Sequence, residues 1–232
     1  MSRFSFLRKK PEPAVASLVR EVLFGDVPVP EWPRPDSPVR DVKPWSLFAA
    51  AQDAQRTGDV PAAVSALQEV VAMPNLESRH YLQAWQFLRE LDVAVPAAEA
   101  KRVLGVVLEV ALEGGLDLVA AYADNSARYF NYSGKAIVWD NNADLPGGEI
   151  QALLAQARPV AAAIGPWKEA RPGVPPTGQV RINLLTPSGL HFGQGDFNVL
   201  FQDAMGGPVL ACGQALMQAL MELSPAATEV AE

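Results

Sequence analysis

The stretch LDLVAAYADNSARYFNYSGKAIVWD, residues 116–140, decides the fold because its apolar residues alternate with a period of two. This period is typical of β-strands, in which successive side chains lie on opposite faces. Asp124–Asn125 and Ser133–Gly134 suit tight turns, since Asn and Gly tolerate the positive φ that such turns require. The stretch therefore predicts three consecutive antiparallel strands joined by two hairpin turns.

Helical periodicity dominates the chain before this stretch. Residues 44–59 predict a helix closed by Gly58, and Asp59 caps a second helix over residues 61–73. Asn75 is the expected cap of a third helix over residues 76–91. A fourth helix is predicted from Pro96 to about Glu113, where two glycines follow.

After residue 140 the pattern changes again. A helix is predicted over residues 147–164, with Pro159 expected to kink or end it. Three strands (residues 179–185, 189–193 and 197–202) and a last helix from Pro208 to about Leu223 follow. The predicted fold class is α+β, with N-terminal αα-hairpins followed by an antiparallel sheet flanked by helices.

Two resemblances extend this fold prediction. Trp45, Ala49, Ala50, the Gly58–Asp59 turn and Pro74 lie near the places of a tetratricopeptide unit, and a second hairpin is expected about 34 residues later. The unit is degenerate, because Ala49 replaces its early glycine and Leu67 or Ala66 its large aromatic residue. The element order over residues 97–223 is similar to roadblock, longin and profilin-like modules. That similarity implies a dimerisation or docking platform.

The predicted elements divide the chain into four segments. Residues 1–43 form a basic leader with a short amphipathic helix, and a proline-rich stretch with six prolines from Pro28 to Pro44 leads into the next segment. Residues 44–95 form the helical hairpin region, residues 96–223 the α+β sheet domain, and residues 224–232 a disordered tail. The leader either packs on its own domain or reaches a partner as an arm.

Composition and charge restrict the function classes. The net charge is −7, and eight basic against six acidic residues in 1–43 leave the remainder at −9. This balance argues against a nucleic-acid partner, which requires clustered Lys and Arg. No apolar run is long enough to span a bilayer, and the start lacks a secretory signal, so a cytoplasmic location is expected. The single cysteine, Cys212, excludes an internal disulfide.

Aromatic residues supply the candidate interaction surface. It comprises one leader residue and five residues of the predicted hairpins: Trp32, Arg128, Tyr129, Phe130, Tyr132 and Trp139. Aromatic and Arg side chains are enriched at protein interfaces. Cross-strand packing inside a core predicts the same letters, and this alternative stays open.

Oxygen-bearing side chains raise the question of a metal site. Asp140, Asn142 and Asp144 stand at the first, third and fifth places of a calcium loop. Leu145 replaces the glycine that such a loop needs, and Gln151 replaces its bidentate glutamate. No metal and no cofactor are therefore predicted.

Three functions remain open. The favoured hypothesis is a non-catalytic adaptor that binds another protein, with a homodimer as one form of it. The alternative is a small-molecule sensor, with a pocket between sheet and helix lined by Tyr129, Tyr132, Trp139 and Phe192. The third is a hydrolase-like enzyme in which His191 acts as general base with Asp196 or Cys212, although no motif surrounds Ser188 as a nucleophile.

Overall fold

A computed structural model describes residues 14–140 and 147–223 of the chain. Within these ranges the elements follow in the order α1 (Ala14–Phe24), α2 (Trp45–Thr57), α3 (Val60–Ala72), α4 (Ser78–Glu90), β1 (Gly105–Leu112), β2 (Gly115–Tyr122), β3 (Ala127–Phe130), β4 (Ala136–Trp139), α5 (Gly147–Ala163), β5 (Gln179–Thr186), β6 (Gly189–Asp196), α6 (Phe197–Gln202) and α7 (Gly206–Leu223). None of these helices is both long enough and apolar enough to cross a membrane.

The strands form one antiparallel sheet of six, ordered β4-β3-β2-β1-β5-β6. The first four strands are joined in sequence by tight turns, and Asn125 and Gly134 have positive φ there, as the turn residues predict. The chain then crosses through α5 and adds β5 on the other side of β1. The strand β1 is therefore central, with β2 and β5 as neighbours.

Two cores lie on opposite faces of the sheet, because side chains alternate along each strand. On β1, Val106 and Leu108 face the first core, which is closed by α5 and α7. Val107 and Ala111 face the second core, to which α1 and α4 contribute. Both faces of β1 are thus covered.

A third core holds the helical layer together. The helices α2 and α3 form an αα-hairpin closed by Gly58, whose φ of 79° needs glycine. Asp59 caps α3 by accepting a hydrogen bond from the amide of Ala62 at 3.0 Å. The hairpin packs on α4 through Phe48, Leu67 and other buried residues. The predicted α+β fold class, with helices preceding an antiparallel sheet, is confirmed.

The predicted fourth helix is wrong, because Gly105–Leu112 is the strand β1. Its apolar run is continuous rather than alternating, since the strand is covered on both faces, and short runs of this kind suit a helix equally well. Residues 97–101 form only turns. Among the described residues, no second helical hairpin follows α4.

Three local predictions are also corrected. The sequence FNVLFQ is the helix α6 rather than a strand, because Asp196 caps it by accepting the amide of Asn198 at 3.0 Å. Pro159 does not end α5, which continues to Ala163. Asn75 is not the cap of α4, since Glu77 occupies that position.

The described part of the leader packs on its own body. On α1, Leu23 and Phe24 are buried in the second core, although Val22 is exposed. The side chain of Gln83 on α4 exchanges two hydrogen bonds with the backbone of Val27, at 3.1 and 2.8 Å. The proline-rich segment is therefore part of the folded body as far as the structure describes it.

Candidate functional site

The aromatic residues of the β3–β4 hairpin are mostly covered. Tyr129 is buried against the first core, and its hydroxyl donates to Asp117 at 3.2 Å. Burial and this carboxylate raise the pKa of Tyr129 to about 12. Phe130 and Trp139 are half-buried on the second and first cores, so Tyr132, at 58% exposed, is the outward member of the set.

Arg128 belongs to the hairpin structure. It is buried, donates to the carbonyl of Trp139 at 2.7 Å and forms an ion pair with Asp140. The hairpin thus uses Arg128 to join β3 to the end of β4. A partner-binding role for this set stays a prediction.

Trp32 lies far from the hairpin along the chain and joins the helical layer. Its ring centroid is 4.8 Å from that of Trp45, and His80 and Phe48 complete the cluster. The indole N–H of Trp32 is buried without a hydrogen-bond partner in the described part of the chain.

The residues of the sensor pocket and of the calcium-like loop remain to be placed. Tyr129 and Trp139 lie on β3 and β4, whereas Phe192 lies on β6 at the opposite edge of the sheet, so the predicted sensor pocket does not form. Of the calcium candidates, Asn142 and Asp144 lie outside the described residues. Over residues 14–140 and 147–223, no three His, Cys, Asp or Glu side chains are grouped as metal ligands.

An apolar groove lies between the sheet and the helices α6 and α7. Its volume is about 380 Å³, and its lining residues are almost all hydrophobic: Leu108, Val119, Phe197, Phe201, Leu210 and Met217. Below we call this feature the apolar groove. Sequence reasoning missed it, because FNVLFQ was assigned to a strand.

Local sequence explains how the groove forms. Phe197 and Phe201 are four residues apart on α6, so their rings share one helix face and stack with centroids 5.7 Å apart. Leu200, on another face of α6, packs on the first core. Gly213 lets α7 approach β1 closely, since a Cβ there would lie 2.0 Å from Cδ1 of Leu108. The four-residue spacing on α6 therefore leaves the rings of Phe197 and Phe201 partly exposed beside the sheet.

The chain segments that form the apolar groove carry carboxylates and no basic residues. Neither residues 103–127, which contain β1 and β2, nor residues 182–232 contain any Lys or Arg. Asp117 lines the groove, and Asp196 and Asp203 lie at the two ends of α6. Backbone amides of Gly206 and Met205 donate to Asp203 and lower the pKa of its carboxyl. A ligand in the groove thus meets apolar rings flanked by negative charge.

A second cavity, the arginine cleft, lies on the opposite face of the sheet between α4, the loop at 167–171 and the β5–β6 turn. Its volume is about 410 Å³, and Arg89, Lys168 and Arg171 line it. Arg171 forms an ion pair with Asp26 at 2.6 Å. Arg89 donates to the carbonyl of Pro187 at 2.5 Å and to the side chain of Gln86, and burial lowers its pKa to about 10.

His191 on β6 is fully buried, and its contacts define its tautomer. Nδ1 lies 3.1 Å from the carbonyl of Ile164, so Nδ1 carries the proton, and Nε2 accepts from the hydroxyl of Ser188 at 3.0 Å. Burial lowers the pKa of the imidazole, which favours this neutral form. The hydrogen bond between Ser188 and His191 stabilises the β5–β6 turn, and it also places a base, the imidazole, beside a hydroxyl.

The partners that the sequence proposed for His191 do not contact it. Asp196 caps α6, and Cys212 is half-buried against the first core. The Ser188 hydroxyl is the one element of the hydrolase hypothesis that meets the imidazole. That hypothesis stays a prediction.

We expect the protein to lose stability as the pH falls below about 6.5. Unfolded histidine takes up a proton near that pH, whereas burial lowers the folded pKa of both His191 and His80. The unfolded state therefore binds more protons, and each histidine contributes at most about 1.4 kcal/mol per pH unit. Urea unfolding from pH 7 to pH 5 measures this slope. His191→Asn should reduce it, and an unchanged slope in that variant would exclude His191 as a source.

A buried ion cluster, not anticipated from the sequence, ties α1 to the sheet. The carboxylate of Glu109 is inaccessible to solvent and binds Arg20 at 2.6 Å, Arg181 at 3.0 Å and Asn183 at 3.1 Å. Burial lowers the pKa of Arg181. Arg20 and Arg181 also donate to backbone carbonyls at Pro172 and Gly173. The cluster therefore joins the leader helix, two strands and the loop beside the arginine cleft.

Comparisons with known proteins give no further assignment. No family model, no curated protein and no solved structure matches the chain.

Proposed function

We propose that this protein is a non-catalytic cytoplasmic adaptor whose apolar groove binds a basic, amphipathic segment of a partner protein. The observation that carries the proposal is the pair of exposed rings, Phe197 and Phe201, beside an apolar groove that Asp117 also lines and whose chain segments contain no Lys or Arg. Exposed apolar surface with a polar rim is typical of interaction sites. The groove is thus the surface that we propose for the adaptor function.

Apolar burial supplies the affinity in this proposal. Phe197 and Phe201 are 36% and 40% exposed, and Met217 is half-buried beside them. Covering apolar surface contributes about 25 cal/mol per Å², and aromatic rings in a groove are frequent hot spots. An amphipathic helix fits such a groove through residues at i, i+3, i+4 and i+7.

Charge decides which partner fits. Asp117 in the groove, with Asp196 and Asp203 at the ends of α6, attracts Lys and Arg at the edge of a bound segment and increases its association rate. A second copy of this chain is disfavoured here, because a symmetric dimer would place the same acidic surface against itself. A homodimer formed through the groove is therefore the alternative, and sedimentation of the free protein tests it.

Binding is tested with a fluorescent helical peptide that carries Leu and Phe on one face and Lys on the other. We expect Phe201→Ala to weaken binding about tenfold or more, because the ring is a hot spot of the groove. Val199→Ala is the matched control, since Val199 is exposed on the same helix without lining the groove. Affinity should fall as salt increases.

Three results would contradict the proposal. They are equal binding of a peptide in which Glu replaces Lys, equal losses in the two variants, or no binding of the Lys peptide to the full chain. Sedimentation of the free protein checks the alternative: a dimer that Phe201→Ala dissociates would make the groove a self-association site.

A further inference from the structure

We propose that the arginine cleft binds a small organic monocarboxylate with an apolar body. This site lies on the opposite face of the sheet from the apolar groove and does not depend on the function proposed for that groove. The inference rests on the hydrogen-bonding capacity of Arg89, on the walls of the cleft and on its charge balance.

Arg89 has donors left for a ligand. A guanidinium carries five N–H groups, and the recorded hydrogen bonds of Arg89 use two, to the carbonyl of Pro187 and the side chain of Gln86. No carboxylate pairs with it among the described residues. A carboxylate takes two parallel N–H bonds from such a group. A partly buried cation held by neutral partners is costly unless an anion joins it.

Trp167 and Leu190 offer apolar surface to a ligand body in the cleft. Phe24, Leu82 and Leu185 also line it but are at most 5% exposed, and its volume of about 410 Å³ falls within the range of small-molecule sites. The indole N–H of Trp167 already donates to the carbonyl of Ala170 at 3.1 Å, so this ring offers mainly its apolar surface.

Charge balance limits the ligand to one negative charge. Arg89, Lys168 and Arg171 are the cations that line the cleft, and Asp26 and Glu169 are its carboxylates. Three cations against two carboxylates leave a single positive charge. A monocarboxylate neutralises this charge, whereas a dianion would exceed it.

The test uses the full chain labelled with ¹⁵N and titrated with benzoate, phenylacetate and hexanoate. We expect at least one of these to shift the indole N–H signal of Trp167 in a saturable manner. Benzamide, which has the shape of benzoate without its charge, should bind at least about tenfold more weakly. Phenyl phosphate and phthalate are the dianionic probes, and both should bind more weakly than the monocarboxylates.

Arg89→Gln should remove the saturable shift, because Gln keeps a donor for Pro187 but loses the charge. Arg56→Gln, which removes an exposed Arg on α2, is the matched control and should bind as the parent chain does. The proposal fails if none of the monocarboxylates shifts Trp167 in the parent chain, if benzamide binds equally, or if a dianion binds more tightly. The parent titration decides this even if Arg89→Gln does not fold.

Discussion

Replacing Glu109 by Ala is expected to lower the free energy of unfolding by about 3–5 kcal/mol, because it breaks a buried ion cluster. The variant leaves two arginines, Arg20 and Arg181, in a site where their side chains are 5% and 3% exposed. Water cannot replace the lost carboxylate there, and the amide of Asn183 loses an acceptor as well. The measurement is urea unfolding followed by circular dichroism.

The matched control for Glu109 is Asp53→Ala. Asp53 also pairs with an arginine, at 3.3 Å, but both side chains are more than 60% exposed. Exposed pairs contribute about 0–1 kcal/mol, so this variant should unfold nearly as the parent chain does. A loss below about 1 kcal/mol for Glu109→Ala would mean that water enters the cluster and that it does not hold α1 on the sheet.

Phe48→Ala is expected to cost about 3–5 kcal/mol, because it leaves a cavity where no solvent reaches. The ring of Phe48 lies between Trp32, Trp45, His80 and Phe87, with centroids 6.1–6.4 Å away. This loss of stability affects α2, the proline-rich segment and α4 together, because the ring packs against residues of all three. Thermal unfolding by calorimetry gives its size.

Phe48→Ala also tests whether the chain divides into two domains between residues 95 and 96, as the sequence predicts. The helix α4 supplies Leu82 to the second core and Phe87 to the helical layer, so the two regions share an element. We therefore expect one cooperative transition that shifts as a whole. Two transitions, of which only the first shifts, would instead support a separate helical domain.

The parts of the fold that were predictable depend on local chemistry. Gly58 and Asp59 fix the α2–α3 turn within a few residues, and Asn125 and Gly134 do the same between β2, β3 and β4. The alternation of apolar residues in 116–140 is enough to predict the hairpins, because only one pairing register of the strands buries those residues. These features required no knowledge of distant neighbours.

The parts that were missed depend on distant neighbours. The strand β1 is extended because β2 and β5 pair with it on both sides, and nothing in residues 105–112 alone excludes a helix. The start of α4 is bound by Asp124 of the β2–β3 turn, which accepts the amide of Ser78 at 2.6 Å. An acceptor 46 residues away has no local signal.

The candidate sites also differ in whether local sequence or distant neighbours determine them. The aromatic residues in 126–139 predict an interaction surface on a hairpin whose rings are mostly covered, whereas the apolar groove combines α6, α7, β1 and β2. One sequence signal does point to the groove. The absence of Lys and Arg after Arg181, together with Phe197 and Phe201 at helical spacing behind the cap Asp196, indicates an acidic surface with exposed rings.

The most direct measurement is a methyl NMR titration of the full chain with the Lys-bearing amphipathic peptide. If the apolar groove is the binding site, the signals of Leu108, Val119 and Leu210 shift saturably, whereas those of Leu82 and Leu190 in the arginine cleft do not move. Shifts confined to the cleft, or none at all, would contradict the assignment of partner binding to the face formed by α6 and α7.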